Sequence, residues 1–241
     1  MPAGPAASRC ALIVAAMARS AAERREDLVA ILKEARGCTR CTLARGRTQV
    51  VFGAGNADAE LMFVGEAPGF HEYQHGIPFV GRAGQLLDEL LAEKGMGRDE
   101  VFIANVLMCR PPGNRDPEAG EIATCQPYLM AKIELIEPSV ICTLGNFATK
   151  LLSGSSAGIT RVHGQPQLRE LGGRTVRLYP LFHPAAALRT PRVKEQLRED
   201  FARLPALLAE GKPPQPHEPL PEPPPEPVRS ARAADQLGLF G

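Results

Sequence analysis

Apolar residues recur along this chain in two alternating rhythms. Leu28, Ile31, Leu32 and Ala35 follow the three-and-four spacing of one helical face. Ser20-Ala21-Ala22-Glu23 ahead of them has the form of a capping box, and Gly37 ends the run. Leu61 to Val64 is a short continuous apolar run, the mark of a strand covered on both faces, and it enters Gly65. Ala83 to Lys94 carries Leu86, Leu87, Leu90 and Leu91 on one side of a helix. Val101 to Val106 reads as a second strand, and Asp116-Pro117 as the start of a helix reaching about Ile136. Ser139 to Leu144 is a third strand, followed by Gly145-Asn146 and a short helix to Leu152. Thr175 to Leu181 is a fourth strand, and Thr190-Pro191 opens a last helix to about Glu210. Four alternations predict an α/β fold: a three-layer α/β/α sandwich around a four-stranded parallel central sheet.

Such sheets bind ligands beyond the carboxyl ends of their strands. Chemistry-bearing residues should therefore gather just after each strand. Gly65-Glu66-Ala67-Pro68-Gly69 follows the first, Asn105 ends the second, and His183-Pro184-Ala185-Ala186 follows the fourth. The third runs into Gly145-Asn146, which reads as a plain helix start.

Composition adds limits. With 44% apolar and 23% charged residues the chain is of globular type, and no apolar run is long enough to span a membrane. Net charge is +1, so the whole chain points to no particular partner. Prolines concentrate between Pro213 and Pro227, which cannot build a core and reads as polyproline-like linker. The part before it is mildly basic, which permits a phosphate-binding face. At the other end, Cys10 to Ala18 is a short apolar run after one Arg. It reads as a frayed extension, or as sequence ahead of a start at Met17, rather than as a signal peptide. The expected organisation is an extension over 1–22, a catalytic domain over 23–211, a linker over 212–234 and a terminal peptide over 235–241.

Cys38-x-x-Cys41 offers two thiolates from one loop, and Cys109 and Cys125 follow further on. Spacing leaves three chemistries open: zinc, an iron–sulfur cluster, or a redox-active disulfide. The second pair is not C-x-x-C, which weakens a zinc ribbon. Scattered core cysteines are the plain alternative, and that is how Cys10 and Cys142 read. Four reduced thiolates imply a reducing compartment, hence the cytoplasm.

The motifs together are more specific. Gly65-Glu66-Ala67-Pro68-Gly69, Gly76-Ile77-Pro78-Phe79-Val80-Gly81-Arg82-Ala83-Gly84, Asn105 four residues before Cys109, and His183-Pro184-Ala185-Ala186 closely resemble family 4 uracil-DNA glycosylases, over roughly residues 28 to 208. The resemblance implies a uracil-DNA glycosylase-like fold and a [4Fe–4S] cluster on Cys38, Cys41, Cys109 and Cys125. Two sister groups are disfavoured. Family 5 enzymes lack a polar residue at the Glu66 position. The cross-linking relatives read G-E-Q-P-G and carry an extra histidine, whereas this chain has Ala67 and no histidine between Asn105 and Cys125.

The resemblance also implies roles. Breaking uracil's glycosidic bond builds positive charge on the sugar and negative charge on the base, after the nucleotide has left the stack. Phe79 would stack on the flipped base. Asn105 would read its edge, donating to O4 and accepting from N3–H, a pair cytosine cannot match. His183 would donate to O2 as charge grows there, which requires a neutral ring with a partner on its other nitrogen. Glu66 would hold the water and stabilise the cationic sugar. Gly65, Ala67, Pro68 and Gly69 would shape the pocket, with Glu72 and Asn114 in support. Gly81, Gly84, Arg110, Arg115, Ala185, Leu188 and Arg189 would meet DNA. His71, His75, His163 and His217 read as surface residues. The rivals are a non-catalytic iron–sulfur nucleic-acid-binding protein on the same fold and an electron-transfer protein.

The chain ends in Asp235-Gln236-Leu237-Gly238-Leu239-Phe240. Its core is similar to the peptide by which bacterial repair proteins dock on the sliding clamp. Leu237, Leu239 and Phe240 would enter an apolar pocket and Gln236 would hydrogen-bond beside it. The expected partners are uracil-containing DNA and the clamp, no membrane is expected, and the protein is expected to be a monomer.

Overall fold

The structure, a computed structural model, describes residues 19–216. The extension before residue 19, and from residue 217 the rest of the linker and the terminal peptide, lie outside the described residues. Chain order is α1 (Ala21–Arg36), β1 (Ala54–Gly55), β2 (Leu61–Gly65), α2 (Phe70–His75), α3 (Arg82–Ala92), β3 (Phe102–Asn105), α4 (Ala119–Ile136), β4 (Val140–Leu144), α5 (Asn146–Ser153), α6 (Ile159–Val162), β5 (Gln167–Leu171), β6 (Arg174–Leu181), α7 (Pro184–Ala187), α8 (Pro191–Ala202) and α9 (Leu204–Ala209).

The strands form one sheet in the order β1-β3-β2-β4-β6-β5. The inner four are mutually parallel, as the alternation predicts. Two antiparallel edge strands are additional, because neither carries an apolar run: β1 has two residues, and β5 is a half-exposed strand turned onto β6 by Gly172-Gly173.

Period-two geometry splits each inner strand between two cores. Met62, Val64, Ile141 and Leu178 pack with Leu28 and Ala35 of α1, Leu129 and Ile133 of α4, and Leu152 of α5. Leu61, Phe63, Cys142 and Tyr179 face the other way, onto the leucines of α3, Leu197 and Phe201 of α8, and Leu204 of α9. This is the three-layer sandwich.

Three further departures from the sequence expectation bear on the site and its surroundings, besides the short unanticipated helices α2, α6 and α7. α4 starts at Ala119, with the Glu118 N–H donating to Glu121 Oε2 at 2.9 Å, so Asp116-Pro117 stays in the loop. The last helix breaks at Arg203, where Pro205 in the first turn of α9 removes an amide the α8 ladder needs. The start of the linker is packed: the Gln215 side chain accepts from the Thr175 N–H at 3.2 Å and donates to its carbonyl at 3.1 Å.

Sheet order places the site. From β2 the chain crosses to β3 through α3 on one face, whereas from β4 it enters α5 on the other face. The loops leaving these neighbouring strands therefore diverge, and the switch point between them is where a ligand cleft forms.

Candidate active site and cysteine centre

A cavity of ≈ 630 Å³ opens at that switch point. Glu66 lines it from the end of β2, Gly145 and Asn146 from the end of β4, His183 from the end of β6, and Asp116 from the loop before α4. Burial raises the Glu66 carboxyl above its usual range, and the Asp116 carboxylate adds to the rise.

Three side chains converge beside it. Asn105 stands opposite Gly65 in the β2–β3 register. A methyl group on Gly65 would lie 2.4 Å from Asn105 Oδ1 and 2.9 Å from the Phe79 ring. The Phe79 ring stacks on the His183 imidazole, with centroids 5.6 Å apart. The structure therefore brings Gly65, Phe79, Asn105 and His183 together, although they come from four different motifs.

Asn105 is 3% exposed, and its amide makes no hydrogen bond with any described residue. Among the described residues no fully buried side-chain polar atom lacks a partner, so what the amide keeps exposed is its polar tip. A buried amide in that state favours a ligand that completes it.

His183 caps α7, where the Ala185 N–H donates to Nδ1 at 3.1 Å. A backbone amide can only donate, so Nδ1 carries no proton and Nε2 does. Burial lowers the ring to about 4, so it is neutral at pH 7. Gly145, at φ 91°, makes room for it: a Cβ there would meet His183 Cβ at 3.0 Å. The third strand's exit is thus part of the site rather than a plain helix start.

Phe79 has φ 54°, a strained conformation for an aromatic residue. Arg98 holds it. The guanidinium donates to the Phe79 carbonyl at 3.0 Å and to the Pro78 carbonyl, while Asp88 accepts from it at 2.9 Å. Gly84 is what lets α3 approach: a Cβ there would lie 1.6 Å from the Phe79 carbonyl oxygen. Arg98 and Asp88 had no signal in the sequence, since the contact spans about twenty residues and fits no motif.

The remaining sequence-derived residues are distributed as follows. Ala67 and Gly69 are partly exposed beside buried Pro68, and Gly81 caps the start of α3. Glu72 accepts from the Gly69 N–H at 2.5 Å and so fixes the start of α2. Asn114, at φ 57°, accepts from Arg110 Nε at 2.7 Å. Ala185 supplies the amide to His183, and Leu188 and Arg189 follow it exposed to solvent. Arg115, still partly exposed, pairs with Glu121: that carboxylate, 3% exposed, accepts two hydrogen bonds from it at 2.9 and 2.7 Å. This bond is the main cause holding the Glu121 carboxyl below its usual range. His163 differs from its surface reading. Its Nδ1 lies 2.8 Å from Asp200 Oδ2, and its ring is 4.4 Å from that of Phe182.

Cys38, Cys41, Cys109 and Cys125 line one apolar cavity between α1, the loop after it, the exit of β3 and α4. All four are free thiols. Arg47 Nη1 donates to Cys109 Sγ at 3.8 Å and to the Cys38 carbonyl at 2.7 Å. Lys132, fully buried two turns after Cys125, donates to the Phe52 carbonyl at 2.5 Å. Burial pushes Lys132 down to about 8, against the pull of Cys125. Among the described residues no three His, Cys, Asp or Glu side chains are grouped to hold a single metal ion. Four unpaired thiols thus surround one apolar space, with the Arg47 and Lys132 cations beside it, a donor set that suits a negatively charged thiolate-bound centre.

Comparison with known proteins agrees with this geometry. The Uracil DNA glycosylase superfamily matches residues 52–204. The chain is 44% identical over 184 residues to the type-4 uracil-DNA glycosylase of Sulfurisphaera tokodaii, covering 74% of this chain and 84% of that one. It is 42% identical over 192 residues to the type-4 enzyme of Archaeoglobus fulgidus (78% and 96%), and 48% identical over 167 residues to that of Thermotoga maritima (68% and 85%). The chain belongs to the uracil-DNA glycosylase superfamily, and within it to the type-4 uracil-DNA glycosylases.

Proposed function

We propose that this protein is a monofunctional uracil-DNA glycosylase that hydrolyses the N-glycosidic bond of a flipped deoxyuridine and leaves an abasic site. The observation that carries the reading is the meeting of the Phe79 ring, the unpartnered Asn105 amide and the neutral His183 ring around Gly65.

The flipped uracil stacks on Phe79. Asn105 donates to O4 and accepts from N3–H. Cytosine presents a donor at C4 and no proton at N3, so it leaves a buried amide mispaired. As the C1′–N1 bond breaks, the electron pair moves onto the base and gathers at O2, where His183 Nε2–H donates. A ring held near 4 donates without first losing a charge. Glu66 orients a water onto C1′ and takes up its proton as the new C1′–O bond forms, with its carboxylate facing the cationic sugar meanwhile. Desolvation, which raises its proton affinity, suits it to that task.

Cys38, Cys41, Cys109 and Cys125 would hold a [4Fe–4S] cluster, whose chemistry here is cross-linking: it would tie the loop after α1 to the exit of β3 and to α4. Arg110 and the exposed Leu188 and Arg189 flank the cleft as DNA contacts, Leu188 or Arg189 filling the space the base vacates. The protein acts as a monomer in the reducing cytoplasm, tethered to the sliding clamp by Gln236, Leu237, Leu239 and Phe240 beyond the proline-rich linker. Among the described residues no helix is long and apolar enough to cross a membrane.

The test is release of free uracil from a uracil-containing oligonucleotide by brown, cluster-loaded protein, with His183→Ala beside it. Release by the parent, and a loss of about 100- to 1,000-fold in the variant, is expected. An inactive parent with its cluster intact refutes the reading.

A further inference from the structure

Among the described residues Phe70 is unlike the other phenylalanines. It opens α2 directly after the Gly65–Gly69 motif, yet half of its surface (50%) faces solvent. It is also ordered by its neighbours. The Arg110 guanidinium lies over the ring, 5.2 Å from its centroid, and the His71 ring meets its edge at 5.5 Å. Arg110 is fixed in turn by the Asn114 side chain, which accepts from Nε at 2.7 Å.

The two loops that make this contact are the two that meet at the cavity. The loop after β2 contributes Glu66 at one end and Phe70 at the other. The loop after Cys109 contributes Asp116, which lines the cavity with Glu66, and Arg110, which covers Phe70. Phe70 is four residues from Glu66 along one loop and Arg110 six residues from Asp116 along the other, and neither lines the cavity itself. The covered half of the ring rests on Arg110 and His71, and a cation–π contact at an exposed site adds little to folding. An aromatic face beside an arginine, on a protein that handles an unstacked strand, is the pairing that receives a nucleobase and the phosphate next to it.

We propose that Phe70 and Arg110 form a second base-stacking platform, outside the uracil pocket, for a nucleotide flanking the flipped deoxyuridine. The inference rests on the glycosylase reading and extends it. Flipping one base strips a neighbour of its stacking partner, and Phe70 replaces that partner while Arg110 neutralises the intervening phosphate. The platform is indifferent to sequence, because every base has a stacking face. It contributes most on single strands, where no complementary strand holds the neighbour in place.

The test uses cluster-loaded full-length protein and single-stranded oligonucleotides with one deoxyuridine. In one set a base-less spacer replaces the 5′ neighbour and in another the 3′ neighbour. KM and single-turnover rate are measured for the parent, Phe70→Ala and Phe70→Trp. On the fully based strand Phe70→Ala should raise KM about fivefold to a hundredfold, with the saturated single-turnover rate close to the parent's. Phe70→Trp should restore KM. On one of the two spacer strands the parent should show the same rise, and Phe70→Ala should show none beyond it. If parent and Phe70→Ala lose affinity equally and additively on both spacer strands, or if Phe70→Ala binds the based strand like the parent, the platform is wrong. Failure of the parent to release uracil at all would instead overturn the glycosylase reading.

Discussion

Gly65 shows how closely the pocket is built. A single methyl group there would intrude on Asn105 and Phe79 together, one at the end of β3 and the other in the loop before α3. Gly65→Ala should lower kcat/KM at least tenfold; single-turnover uracil release at varied oligonucleotide concentration reads it. Asn105→Asp replaces the donor to O4 with an acceptor. Uracil release should fall by about 100-fold or more, and discrimination against cytosine should weaken; release equal to the parent's removes Asn105 as the edge reader. Arg98 stands behind the ring rather than in the pocket. Arg98→Ala frees the Pro78 and Phe79 carbonyls and lets a residue at φ 54° relax. A relaxed ring is displaced from the base, so KM should rise by about tenfold, and Arg98→Lys, which keeps a single donor, should recover part of it.

At the scale of elements, the loop between Cys109 and α4 decides what Arg115 does. As a phosphate contact, Arg115 would be dispensable for folding, and its loss would reduce the salt dependence of DNA binding. The structure engages it with Glu121, whose carboxylate is nearly inaccessible and also accepts from the Glu118 amide. Removing one partner of such a pair strands a buried charge. Arg115→Ala should therefore lower stability by more than Arg110→Ala does, measured by urea denaturation. Arg110→Ala, whose partners are exposed, should cost less than about 1 kcal/mol. The strands and the leucine face of α3 were legible in the sequence because burial on one or both faces leaves a periodic trace. The start of α4 was not, because Asp116-Pro117 has the local chemistry of a helix start. What moves the start to Ala119 is a capping bond from Glu118 to Glu121, a carboxylate also paired with Arg115 six residues earlier. Edge strand β5 left little trace for a similar reason: a half-exposed strand has no apolar run.

At the scale of the whole molecule, the cleft was legible as far as strand ends could be read. Glu66, Asn105 and His183 each follow a strand, and parallel topology then gathers them at one rim. Gly145, Arg98 and the His163–Asp200 pair were not legible, because their importance comes only from what the sheet order sets beside them. The same assembly predicts how stability responds to acid. His183 titrates at about 4 in the folded protein and at 6.5 in an open chain. Between those values the unfolded chain binds a proton that the folded one refuses, so stability falls as pH drops from 6.5 toward 4 and is fully present above that window. Glu66 and Asp200 act in the opposite sense, since their raised affinities let the folded state take protons first. The measurement must therefore isolate the imidazole. His183→Gln keeps a polar side chain but has nothing to titrate. Urea denaturation of parent and variant at pH 7 and pH 5 should show the parent losing about 1–2 kcal/mol more than the variant. Equal losses would mean that His183 ionises in the fold as it does in water, and a ring so exposed could not serve as the neutral donor to O2.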